Sequence, residues 1–497
     1  MEIYQLIDRY ELLNGKKWLP NSFYNEALDK LGYTKALSEE RVKIYDNAAD
    51  CMTMVANRNY PECINIIVPG SRGEGMAVSW KSDLDMMYVQ PAVKCFERYS
   101  TADSKAVENY EAAFELVLDD VPEGYTKLHL KHVTWAKKYR KVTSRIMESL
   151  TDNEYLKNSK SLIGAVEYGR KQVPETGWIS KNYQIDDVTG PAQPRQFPLP
   201  CSNKYVSCDH VQAFPCAYPS VLDDWFKRER LNAWPSSDDL NAVKGTNVFV
   251  VSVGLSGSKE ENLQWRISLT LAERLLVRSF NDTQIKVYAA MKMLVKHELK
   301  PICANITSYI VKNVIFWVFE KRSGTFQRHE FVEILLQTLK YMKDCITSGC
   351  LPSYMIPSRN LLRGKVSHEE ASDLKEHLDI LIIEESTVLL RCPLLYKMAE
   401  LSEDALKERL LFRELSDKLF LAYFAVPPQH FDIIEYFLHM AQTRNDYLQT
   451  FFNCVLPIIR QTNPIGLFTL LKTMTDEEIR RRLLKGFELG YDNIWMD

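Results

Sequence analysis

A β-branched run, Ile64-Asn65-Ile66-Ile67-Val68, closes at Pro69-Gly70. Ser71 follows and, after eleven more residues, Asp83-Leu84-Asp85 opens a second apolar stretch, Leu84 to Val89. This ordered set constrains the chain more than any other feature. β-Branched residues favour extended backbone, and Pro-Gly ends a strand. The segment therefore reads as a strand, a glycine-containing turn over Gly70-Ser71-Arg72-Gly73-Glu74-Gly75, and a second strand. In a strand, side chains two apart share a face, so Asp83 and Asp85 point the same way. Neighbouring carboxylates repel unless a hard cation lies between them. Magnesium takes oxygen ligands and keeps positions open for phosphate oxygens. Backbone N–H groups of the turn and the Ser71 hydroxyl suit those same phosphates. Two aspartates on a solvent-facing strand and an ordinary Gly-Ser turn are common separately. Their order and spacing argue for a site.

The rest of the chain supplies an envelope. Its 497 residues suffice for two to four domains, and 46% hydrophobic with 26% charged residues is an ordinary globular balance. A net charge of −3 argues against binding through a basic field of the whole molecule, so any nucleic-acid surface is a local patch. The start, Met-Glu-Ile-Tyr-Gln-Leu-Ile-Asp-Arg-Tyr, has no basic flank before an apolar run, so no secretory signal is expected. The apolar run near Val248 to Leu255 is far short of the ~20 residues of a membrane span. Eleven cysteines show no spacing pattern and suit a reducing compartment. The expectation is a cytoplasmic protein with no membrane partner.

Helical spacing marks Ser22 to Leu31 and Leu37 to Asn57, the second with Val42, Tyr45, Ala48, Met52 and Val55 on one stripe. Tyr205 to Phe214 reads as a third strand. From Trp265 onward the pattern is helical, with stripes Ile285, Tyr288, Met291, Val295, Leu299 and Ile310, Val314, Trp317, Val318. The polar stretch Arg363 to Asp373 predicts a boundary. The expected fold is an α/β core, a mixed sheet with flanking helices, followed by a large helical lobe in a bilobal arrangement. Expected boundaries are an N-terminal helical spine over 1–60, the α/β lobe over 61–262, the helical lobe over 263–395 and a helical extension over 396–497.

Gly-Ser followed about a dozen residues later by alternating acids resembles the nucleotidyltransferase signature. That family needs a third carboxylate on a later strand, and Asp209 in the Tyr205–Phe214 strand fits. The resemblance narrows at Trp265-Arg266-Ile267-Ser268-Leu269-Thr270-Leu271-Ala272-Glu273-Arg274, at Cys216 to Ser236, and at Thr307-Ser308-Tyr309-Ile310-Val311-Lys312. These segments look like cyclic GMP-AMP synthase and its Mab-domain relatives, and more specifically the animal cGAS-like receptors. The match runs from about residue 40 to about 390 and is weak between 95 and 200.

The resemblance implies a role for each matching position. Gly70 and Ser71 would hold the triphosphate. Asp83, Asp85 and Asp209 would hold two magnesium or manganese ions. Lys292 and Ser308 would contact donor phosphates, Tyr309 would stack on a base, and Arg266 would reach the acceptor. Solvation for Lys292, core packing for Tyr309 and ion pairing for Arg266 are rival accounts. The implied reaction joins ATP and GTP into a cyclic dinucleotide read by a STING-type receptor, within innate immunity.

The His-Cys-Cys-Cys insertion of the vertebrate enzymes has no counterpart, so no structural zinc is expected. Double-stranded RNA is then the expected activator ahead of double-stranded DNA, with ligand-induced oligomerisation possible. Lys127, Lys131, Lys137, Lys138, Arg140, Lys141 and Arg145, interleaved with Trp135 and Tyr139, could meet RNA phosphates. Lys30, Lys35, Arg41 and Lys43 on the spine are an equal candidate. Two other classes compete: a catalytically silent Mab-type scaffold, and a template-independent polymerase extending RNA ends.

Overall fold

The computed structural model describes residues 21–57, 64–78, 82–97, 110–134, 144, 146–158, 184–185, 192–198, 205–230, 232, 234–406, 410, 475 and 477. Two helices come first, α1 (Asn21–Lys30) and α2 (Lys35–Ala56). They lie where helical spacing placed them. Ile44, Tyr45 and Ala49 of α2 pack with Val68 in a small core of their own. This fixes α2 against the strand that leads into the Gly-Ser turn.

That strand is β1 (Asn65–Ile67), antiparallel to β2 (Leu84–Val89). Between them Gly70–Gly73 forms a single helical turn, α3, and not an open loop. β2 pairs in parallel with β8 (Tyr205–Ala217). The first half of β8 also pairs with β7 (Ala192–Pro198), which pairs in turn with the short β6 (Gln184–Ile185). The second half of β8 belongs to a different arrangement. There it joins β3 (Val93–Phe96), β4 (Ala112–Val117), β5 (Tyr125–Val133), β10 (Gln264–Ser268) and β9 (Val248–Val251) in that hydrogen-bonded order. β9 then pairs back onto β8 through Ala213↔Val251 to Cys216↔Val248. Six strands therefore close into a barrel-like ring. A mixed sheet was expected, and here part of it closes on itself, which satisfies strand edges that would otherwise be left unpaired.

Between β8 and β9 lie α4 (Asp223–Lys227) and α5 (Ser237–Lys244). After β10 the chain is helical: α6 (Thr270–Arg278), α7 (Asp282–Leu294) with a π turn over Val295–Leu299, α8 (Ser308–Lys321), α9 (Phe331–Ser348), α10 (His368–Ile383) and α11 (Pro393–Glu400). Asn281 and Gln284 form a capping box that starts α7 only four residues after α6 ends. Ser367 and Glu370 do the same for α10. The polar stretch read as a boundary thus enters a capped helix, whose polar residues face water while Leu374, Leu378 and Leu381 are buried.

One hydrophobic core runs through both parts. It includes Phe114, Leu128, Phe214 and Trp265 from the strands and Leu276, Phe316, Leu335 and Leu378 from the helices. The two units expected as separate lobes therefore share a continuous interior. Trp265 is 1% exposed, stacks on Phe214 with ring centroids 5.3 Å apart, and donates its indole N–H to the Leu156 carbonyl at 3.0 Å. Burying an aromatic of this size contributes about 4–6 kcal/mol before entropy is counted. No described helix is long and apolar enough to cross a membrane.

Candidate active site

Asp85 on β2 and Asp209 on β8 are direct partners in the parallel register. Side chains alternate along β8: Cys208, His210 and Gln212 are buried on one face, and Asp209 projects from the other. Asp83 sits one residue before β2, exposed at the open start of the strand. The same face continues from Asp85 into a small apolar cluster of Met87, Val89, Ala213, Phe249 and Val251. The acids therefore lie where a dry sheet face meets an opening.

Electrostatics reflect that position. Burial raises the Asp85 carboxyl, and the charges of Asp209, Asp83 and Glu74 raise it further; Lys312 pulls it partly back, leaving it at about 7. Burial also raises Asp209, with Asp83 adding to the effect. Asp83 is raised by burial and relieved by Arg72 and Lys300. Carboxylates held up by one another form an oxygen donor set that fits a hard divalent cation. They form an edge and not a cage: among the described residues no three His, Cys, Asp or Glu side chains are close enough together to enclose an ion.

The Gly-Ser turn is shaped around this edge. Gly70 has φ +65, and a Cβ there would lie 2.0 Å from Asp85 Oδ2. At Gly73 a Cβ would lie 1.8 Å from the Val68 carbonyl oxygen. Only glycine lets the turn lie this close to the strands. Arg72, 1% exposed, joins the two parts: it donates from Nε to the Asp83 carbonyl at 3.1 Å, to the Ser82 carbonyl, and to the Tyr45 hydroxyl at 2.7 Å. It therefore positions the backbone that carries Asp83. From α6, Arg278 donates to the Gly73 carbonyl and to Asp46, and Arg274 to the Val68 carbonyl and Asp46. Strand, turn, spine helix and helical region are thus held together by one buried and two half-buried guanidinium groups, whose forked donors suit several acceptors at once.

Lys292 on α7 donates to the Ser71 hydroxyl at 2.6 Å. Two residues assigned to phosphate contact thus meet across 221 positions of sequence. Burial lowers the Lys292 ammonium, and Lys312 lowers it further, while Glu74 and Asp85 favour its charge.

Sequence reasoning gave no role to the charged group behind this pair. Glu74, 2% exposed, takes an ion pair from Lys312 at 2.5 Å, and Lys312 also reaches Glu273 at 3.4 Å. The signal was a lysine and a glutamate on otherwise apolar helix faces, where an unpaired charge is costly. Tyr309 donates its hydroxyl to Glu273 at 2.9 Å and packs partly against the main core; burial and then Glu273 push the phenol up to about 12. Its ring remains half-buried. Ser308 is exposed at the first residue of α8, whose N-cap Thr307 makes no side-chain cap. Arg266 stands on β10 opposite Tyr125.

The basic patches fare differently. Lys127 and Lys131 lie on strand β5, not on a helix, and each is paired, with Glu260 at 2.6 Å and with Glu115 at 2.7 Å. Acids distant in sequence answer a stretch that contains none. Lys137, Lys138, Arg140, Lys141 and Arg145 lie outside the described residues, as does nearly all of the 396–497 extension after residue 406. On the spine, Arg41 is no surface cation: it is 1% exposed and donates to the Gly32 carbonyl at 2.7 Å. Lys35 donates to the Arg278 carbonyl and pairs with Glu39 at 3.6 Å.

Residues 283–379 match the family described as the Mab-21 protein HhH/H2TH-like domain. The chain is also similar to "Protein mab-21-like 3" of Danio rerio, with 24% identity over 160 residues, covering 30% of this chain and 39% of that protein. The matched stretch is therefore well under two thirds of the relative's length. The domain match spans α7 to α10, the helices that carry Lys292, Ser308, Tyr309 and Lys312. These similarities relate residues 283–379 to a Mab-21 domain and give the chain a partial likeness to a Mab-21-like protein.

Proposed function

We propose that this chain is a nucleotidyltransferase that joins two nucleoside triphosphates, ATP and GTP by resemblance, into a cyclic dinucleotide in response to double-stranded RNA. The observation that carries the reading is the in-register pairing of Asp85 with Asp209, beside the Lys292–Ser71 bond. A mutually repelling acid edge next to a lysine and hydroxyl pair suits a ligand that is metal-bound at one end and phosphorylated.

Asp83, Asp85 and Asp209 would hold magnesium or manganese, whose charge neutralises the triphosphate and acidifies the attacking hydroxyl. The protein's own groups do the rest. Lys292 and Ser71 hold phosphate oxygens, and the Tyr309 ring offers a face to a base. A ribose hydroxyl forms a new bond to the α-phosphorus as the bond to pyrophosphate breaks. The hydroxyl proton passes to Asp209, the acid that the resemblance sets nearest the attacking hydroxyl. Turning the linear product in the same cleft and repeating the step closes the ring.

The test is to incubate the full chain with four labelled nucleoside triphosphates and magnesium or manganese. Parallel reactions contain no ligand, double-stranded RNA or double-stranded DNA. A phosphatase-resistant cyclic dinucleotide formed only with RNA is the expected result. No product under any condition from folded, metal-binding protein would favour the silent scaffold. Extension of a labelled RNA primer would favour the polymerase.

A further inference from the structure

Three cations, Arg266, Arg359 and Lys365, lie close enough to repel one another, and among the described residues none is ion-paired to an acid. Arg266 on β10 is the direct cross-strand partner of Tyr125 on β5. Side chains so paired stand about 5 Å apart on one face. The Arg359 guanidinium lies over the Tyr125 ring, 5.3 Å from its centre, so Arg266 and Arg359 converge at one tyrosine. The approach is built in: Gly124 has φ +81, and a Cβ there would lie 2.8 Å from Arg359 Cδ. Lys365 joins them. Its carbonyl accepts from Asn305 Nδ2 at 2.8 Å, which ties it to the loop leading into Ser308.

Among the described residues neither Arg266, Arg359 nor Lys365 makes a side-chain hydrogen bond or ion pair; Arg359 has only its ring contact. Glu273, the carboxylate that Arg266 senses, is taken up by Tyr309 and Lys312. After burial, Arg359 lowers Arg266, and Arg359 and Arg266 lower Lys365. One tyrosine ring does not neutralise three charges. Other buried cations among the described residues have polar partners, as Lys312 has Glu74, Arg391 has Glu298 and Glu384, and Arg72 has the Asp83 carbonyl. Half-buried cations left to repel one another fit a protein that meets an anion from outside.

We propose that Arg266, Arg359 and Lys365 form an anion subsite that takes the phosphorylated end of a nucleotide. That the ligand is a nucleotide rests on the nucleotidyl-transfer reading; the anion site stands without it.

The experiment uses the full chain in EDTA, so that no metal bridges the ligand to the aspartates. Inorganic tripolyphosphate and GTP are titrated in separate arms by calorimetry, at low and high salt. Tripolyphosphate is expected to bind, more weakly at high salt. Arg359→Met and Lys365→Met should each weaken it roughly tenfold or more, and Arg359→Lys should restore most of the loss. GTP affinity should fall in parallel. Without ligand, neither methionine variant should unfold at lower temperature, because each relieves repulsion; a purely structural role would lower that temperature. Binding within about twofold of the parent in both variants overturns the site. Loss of tripolyphosphate binding with GTP unaffected overturns the nucleotide assignment. Asp85→Asn should keep metal-free binding, and a parent chain that binds tripolyphosphate yet forms no nucleotide product with metal present would sink the transfer reading and leave the subsite in place.

Discussion

Replacing Asp85 with asparagine should stabilise the metal-free protein, and by an amount that depends on pH. The side chain faces Asp209 in register, with Asp83 and Glu74 nearby, and is held at about 7 against an ordinary 3.8. Unfolded, it loses its proton near 3.8; folded, it keeps the proton to about 7. Between those values the folded state binds more protons, so stability falls as pH rises and levels off above 7. The difference between 3.8 and about 7 corresponds to about 4 kcal/mol, at about 1.4 kcal/mol per pH unit. Solvent reaches part of the side chain, which reduces the working figure to about 2 kcal/mol. Urea denaturation of parent and Asp85→Asn in EDTA at pH 4.5, 6 and 8 would measure it. The variant should match the parent near pH 4.5 and exceed it by about 2 kcal/mol at pH 8. Magnesium at a hundredfold over its dissociation constant should then stabilise the parent by about 2.7 kcal/mol, with a smaller gain in the variant. A variant no more stable than the parent at pH 8, or a gap that does not widen with pH, would refute the reasoning.

Gly70→Ala should destabilise the fold by about 1–3 kcal/mol, since φ is +65 and the new Cβ would displace Asp85; thermal unfolding and metal affinity should both report it. Lys312→Met leaves Glu74 and Glu273 without their shared cation, and a loss of about 3–5 kcal/mol in urea denaturation is expected. Tyr309→Phe removes the bond to Glu273 at a cost of about 1 kcal/mol but keeps the ring. Nucleotide KM should therefore change little, and a large rise would show that the hydroxyl, not the ring, meets the substrate.

Local signals were legible wherever the periodicity of one element decided the outcome. The two N-terminal helices, the Leu84–Val89 strand and the α7 and α8 stripes could be read from spacing alone. Burial of one face imposes a period that a linear sequence records. Asp85 belongs to this group as a strand residue, whereas Asp83 sits one residue before the strand, where strand alternation no longer sets its face.

Pairing between distant segments was decided only by tertiary structure. Asp209 and Asp85 are opposed because β2 and β8 run parallel in one register, and a shift of one residue would have turned Asp209 to the other face. Closure of the ring needed the β8–β9 ladder, and an apolar strand such as Val248–Val251 does not name its neighbour. The sequence marked Lys127 and Lys131 as basic, but the fold supplied Glu260 and Glu115 to answer them. It also buried Arg41 and Arg72 as internal clamps and left Arg266, Arg359 and Lys365 unanswered. Charge is a property of the sequence, whereas its neutralisation depends on what the chain brings within a few ångströms.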